Sequence, residues 1–164
     1  MFDPAPGMSA KTTIDYRFEA MDHKQIRDGA YPLHMAVAAG APLSVIEILI
    51  KEADDILLKP NKYGETPVHI ALLLHSADEV IETLIRYGPK ALHMRDQENG
   101  NLPIHNAAVF GCSVHVAKAL LEKWPELVLE RNAANLTPIE LALQSEKCSE
   151  DVLRLLEITS ESII

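Results

Sequence analysis

Cysteine is scarce in this 164-residue chain: only Cys112 and Cys148 are present. Two thiols cannot build a disulfide framework or a four-cysteine zinc site, and their scarcity fits a reducing compartment. No run of about 18 apolar residues occurs, so a membrane-spanning helix is not expected. The opening stretch MFDPAPGMSAKTTIDYRF has neither the basic nor the apolar region of a secretory signal, and an intracellular protein, cytoplasmic or nuclear, is the expectation. Cations are also in short supply. Fifteen Lys and Arg face 24 Asp and Glu, for a net charge of −9, and no local basic cluster offsets it. Such a surface repels a phosphate backbone, so neither nucleic acid nor membrane is expected as a partner.

Catalytic signatures are missing as well. The chain contains no GxSxG, HExxH or CxxC spacing and no glycine loop for phosphate. Cys112 has only His115 nearby as a conceivable base. These absences point away from an enzyme and away from any cofactor or bound metal. The hydrophobic content of 48% suffices for a continuous core in one folded domain.

What is present is a repeat. Pro32-Leu33-His34-Met35-Ala36 returns as Pro67-Val68-His69-Ile70-Ala71 and as Pro103-Ile104-His105-Asn106-Ala107. A degraded fourth copy reads Pro138-Ile139-Glu140-Leu141-Ala142, and successive prolines are 35 or 36 residues apart. Three residues ahead of each proline stand Gly29, Gly64, Gly100 and Asn135. Glycine and asparagine tolerate positive φ, so a tight turn is expected before each copy. Downstream, Val45-Ile46 with Leu49-Ile50, Val80-Ile81 with Leu84-Ile85, Val116-Ala117 with Leu120-Leu121, and Val152-Leu153 with Leu156 place apolar pairs four residues apart. That spacing predicts one apolar stripe on a second helix. Ser76-Ala77-Asp78-Glu79 reads as a capping box opening the second helix of copy two. Each unit is thus turn, helix, helix and a short extended link such as Leu127-Val128-Leu129.

These phased copies resemble the ankyrin repeat, whose signature is T-P-L-H-x-A at a period near 33 residues. Thr66-Pro67-Val68-His69-Ile70-Ala71 nearly reproduces it, and the period here is slightly longer. The resemblance implies an all-α solenoid of stacked helix-turn-helix units with short loops or hairpin-like turns. The expected organisation is a flexible leader over 1–12 and a partial N-terminal cap over 13–28, using Tyr16, Phe18, Met21 and Ile26. Repeats follow over 29–63, 64–99, 100–134 and 135–164. In the last, Glu157 replaces the apolar Ile50, Ile85 and Leu121, and two cations face six carboxylates. That copy is read as a C-terminal cap.

His34, His69 and His105 fall at one place in three stacked units. Packed helices lie about 8–10 Å apart, whereas ligands to one zinc sit at about 2 Å from it, so these histidines are not expected to share an ion. The resemblance gives them a structural role, bonding to backbone in the turns. It also implies that a protein or peptide binds on the concave side, at the turn tips and the ends of the first helices. Transferred by position, that surface comprises Lys62, Tyr63, Glu65, Leu73 and Leu74 in copy two. It continues through Glu98, Asn99, Asn101, Val109 and Phe110 in copy three, and Ala133, Ala134, Leu136, Gln144 and Ser145 in copy four. The longer period leaves open whether Leu73 and Phe110 point outward or into the core. A monomeric, non-enzymatic interaction module is expected. The alternative is an array that regulates or targets an enzyme to which it is joined.

Overall fold

A computed structural model describes residues 30–163 apart from Asp54. The expected leader, the partial N-terminal cap and Gly29 lie outside the described residues. Within them are eight α-helices and no strand. In chain order they are α1 (Pro32–Ala38), α2 (Leu43–Glu52), α3 (Pro67–Leu73), α4 (Asp78–Tyr87), α5 (Pro103–Phe110), α6 (Val114–Lys123), α7 (Pro138–Gln144) and α8 (Glu150–Glu161). Odd helices pack on odd helices, α1 to α3 to α5 to α7, and even helices pack on even ones in the same order. The molecule is therefore a two-layer solenoid. No described helix is long and apolar enough to cross a membrane.

Each odd helix starts on proline at its first position, where the missing N–H costs no intrahelical bond and φ is preset. Two of them end alike. Ala41 N–H reaches back to the Ala36 carbonyl while Gly40 N–H bonds Val37, and Ser76 with His75 repeats the pattern on Ala71 and Leu72. Such a Schellman ending requires positive φ, and Gly40 at 62° and His75 at 51° supply it. One face of every helix feeds a single core running through the stack, with Leu33, Ile46, Leu72, Leu84, Leu102, Val116 and Leu156 fully enclosed. A repeat alone could not bury that surface, so its stability resides in the stacking.

Two local readings of the sequence are corrected. The capping box at Ser76 does not form, because α4 begins one residue later than that box requires, with Ala77 as its N-cap and no side-chain bond. Asp78 instead stands in the first turn, where the helix dipole favours an anion, and accepts the Ser113 hydroxyl of the next repeat at 2.5 Å. The links are also not extended: Ile56–Leu58, Pro89–His93 and Pro125–Leu129 are short 3₁₀ turns. Coiling lets Leu57, Leu92, Leu127 and Val128 drop into the core while the backbone bonds locally. Trp124 ties two links together, with its ring edge-on to His93 at 4.6 Å and Nε1 donating to the Pro89 carbonyl.

Candidate functional site

The turns that precede the odd helices project as a row of tips. Each closes on itself through a backbone bond, from Asn61 to Glu65, from Asp96 to Asn101 and from Asn132 to Leu136. The side chains of Asn61 and Asn132 accept two further N–H bonds apiece inside their own tips, and Asp96 accepts from Asn99. Gly64, Gly100 and Asn135 take the left-handed conformation, at φ of 78°, 64° and 62°. Gly64 has a second reason to lack a side chain, since a Cβ there would sit 2.8 Å from the Gln97 nitrogen. Adjacent tips are stitched by Gln97 N–H to the Tyr63 carbonyl and Ala133 N–H to that of Asn99. Arg95 adds a charged staple, donating to the carbonyls of Gly100 and Arg131 and pairing with Glu130.

Beneath the tips lie the three histidines, all buried. In each, Nδ1 accepts the N–H of the residue three positions earlier: Tyr31 for His34, Thr66 for His69 and Leu102 for His105. That fixes the proton on Nε2, which donates to a carbonyl of the following tip or link: Glu65 at 3.0 Å, Asn101 at 3.3 Å and Glu130 at 3.1 Å. Burial disfavours the imidazolium, so all three pKa values lie below 6.5, and that of His69 falls to about 4. Both nitrogens of each neutral ring are occupied, which leaves no lone pair for a metal ion. In copy four the carboxylate of Glu140 accepts the Thr137 N–H at 2.7 Å. It thus performs the near half of the histidine's task, and Arg131 pairs with it at 3.1 Å.

The residues assigned to the concave surface do not all stand in the open. Lys62, Tyr63, Leu74, Glu98 and Asn99 are exposed, with Leu74 at 50% and Tyr63 at 47%. Leu73, Val109, Phe110 and Leu136 are half-buried. Asn101 is a correction: it is buried, donating to Asn106 Oδ1 and accepting from Asn132 Nδ2, so its amide bridges two repeats rather than awaiting a partner. Glu65 is partly withdrawn too, with its carboxylate accepting the Asn61 amide at 2.8 Å and its carbonyl taken by His34. Phe110 ends α5 on the wall of an open cleft of about 530 Å³. Leu72, His75, Ile81, Cys112 and Lys147 share that wall, and the Lys147 ammonium lies 6.0 Å from the Phe110 ring.

Sequence reasoning missed this cleft because it forms between repeats, where one helix end meets the next turn. Gly111 and Lys147 close it from adjacent repeats, since a Cβ on Gly111 would meet the Lys147 carbonyl oxygen, a proximity that the sequence alone does not show. The cleft offers no activated nucleophile, since burial pushes the Cys112 thiol up to about 12 and keeps it protonated. Cys112 and Cys148 are both free thiols.

Comparison with known proteins agrees with this architecture. Residues 10–93 match the family described as ankyrin repeats in three copies. The chain is also similar to the ANK repeat-containing protein nipk-1 of Caenorhabditis elegans, at 31% identity over 124 residues, covering 71% of this chain. It spans about a fifth of that relative's length, 20%. On the repeated helix pairs, the shared turn chemistry and this match, the chain belongs to the ankyrin-repeat family, whose members serve in general as protein–protein interaction modules.

Proposed function

We propose that this chain is a non-enzymatic module that holds a protein or peptide on its concave side. What supports the reading is a set of apolar groups open to a partner in different degree: the exposed Tyr63 at a tip, the exposed Leu74 at the end of α3, and the half-buried Phe110 at the end of α5. Exposed apolar side chains cost nothing singly, but a patch of them rimmed by polar groups marks a contact surface. The rim here is Lys62, Glu98 and Asn99. Lys62 lies over the Tyr63 ring at 4.7 Å, which orients an amphipathic anchor of the kind that dominates interface energies. The stitched tips hold Lys62, Tyr63, Glu98 and Asn99 on a rigid backbone, so binding there forfeits little conformational freedom.

A photo-crosslinking amino acid placed at position 74, 110 or 122 in the cellular protein tests the surface. Covalent adducts of one defined protein are expected from 74 and 110 and not from 122, which lies on the exposed side of α6. Adducts from 122 alone would reject the concave side. The alternative, an array joined to or associated with an enzyme, is favoured only by the greater length of the nematode relative. The mass of the endogenous polypeptide tests its joined form.

A further inference from the structure

The last repeat carries a surface that the concave side does not account for. Positions facing the next repeat are buried in each earlier copy: Val37, Leu72 and Ala108 are 3%, 1% and 1% exposed. Their counterpart Leu143 is 64% exposed, and Ile139 and Leu153 on the same flank are only half-buried. Ile158 is exposed as well, at the register where Lys51, Arg86 and Glu122 stand in the other copies. Polar replacement would have capped the stack more cheaply, so this flank is only half converted to a water-facing one. Among this apolar surface stands Glu157, in the register of the buried Ile50, Ile85 and Leu121. Arg154 pairs with Glu150 and Arg131 with Glu140, whereas no ion pair among the described residues engages Glu157 or Glu161.

We infer that the α7–α8 flank docks an amphipathic, lysine- or arginine-bearing helix of another protein. Its apolar stripe would cover Ile139, Leu143 and Leu153, and one of its cations would meet Glu157. Charge decides between occupants. A repeat stacked as the earlier ones are would bury Glu157 against apolar side chains, which a carboxylate resists unless paired. Copy four carries six carboxylates against two cations, so a second copy of the same flank would bring like net charge against it. An occupant that brings its own cation removes both objections and, carrying apolar residues at helical spacing, fits the surface left by Leu143.

The test uses the intact chain and three synthetic helical peptides that share one leucine stripe, with lysine, glutamine or glutamate on the polar face. Saturable one-to-one binding of the lysine peptide is expected, with amide shifts confined to α7 and α8. Binding should weaken by about tenfold in Leu143→Gln and again in Glu157→Gln, while Leu74→Gln on the concave side leaves it within about twofold. Both altered side chains are exposed, so the variants should fold, and their melting curves verify it. The inference is overturned by any of three results: glutamate and lysine peptides binding alike, Glu157→Gln binding as well as the parent, or the free chain forming a dimer that Leu143→Gln dissociates.

Discussion

Replacing His69 by alanine removes a fully buried turn histidine and should cost about 2–4 kcal/mol of unfolding free energy. The figure follows from what is left behind. The Thr66 N–H loses its acceptor at 3.2 Å, the Thr66 hydroxyl loses its partner at 2.8 Å, and the Asn101 carbonyl loses its donor at 3.3 Å. Thr66 is fully buried and Asn101 nearly so. Each buried polar group left unpaired costs about 1–3 kcal/mol, and water entering the vacated space recovers part of the sum. His105→Ala should cost less, about 1–2 kcal/mol, because its far partner is the carbonyl of Glu130, an exposed residue that water can reach. Urea titrations followed by helical circular dichroism, analysed at a common m-value, provide the measurement. A loss below about 0.5 kcal/mol for His69→Ala, or a larger loss for His105→Ala, would refute the assignment of these bonds. So would a rise in melting temperature of the parent on adding zinc.

Acid should weaken the fold through the same groups. The unfolded chain takes up a proton on residue 69 near its ordinary pKa of 6.5, whereas the folded chain resists until about 4. His69 therefore contributes its full stability above pH 6.5 and loses about 3 kcal/mol as pH falls through that window, with His34 and His105 acting in the same direction. His69→Ala should flatten the dependence, and an unchanged slope in urea titrations across that range would contradict the low pKa. Gly64→Ala should cost about 2 kcal/mol or more, from its φ of 78° and the close Gln97 backbone, read from the urea midpoint. His75→Gly should instead gain about 0.5–1 kcal/mol, since the Schellman ending there holds a non-glycine residue at φ 51°. A loss of stability would show that the His75 side chain supports the cleft.

The repeat register was legible in the sequence because it is written many times over. Proline, histidine and alanine at fixed offsets report the odd helices, the valine–leucine pairs report the even ones, and Gly64, Gly100 and Asn135 mark the left-handed turns. Features decided by one residue of register were not. The Ser76 capping box fits the sequence pattern, yet the Schellman bond from Ser76 N–H to Ala71 places that residue in the preceding turn and delays α4 to Asp78. Leu127-Val128-Leu129 alternates nothing and could be strand or coil by pattern alone, while packing on the stack selects the 3₁₀ turn. Asn101 reads as a polar tip residue until Asn106 and Asn132 are seen to flank its amide. Phe110 was ambiguous for a physical reason: it lies at a rim, half in the cleft and half in water.

The central claim is that the concave apolar run binds a protein, and affinity measured on that run tests it most directly. With the protein captured by crosslinking in purified form, calorimetric titration of the parent should be compared with Leu74→Asp, Phe110→Ala and Glu122→Ala. Leu74→Asp and Phe110→Ala should each weaken binding by about 2 kcal/mol, roughly thirtyfold, while Glu122→Ala leaves it unchanged. Undiminished affinity in the two concave variants, with their folds intact, would contradict the account.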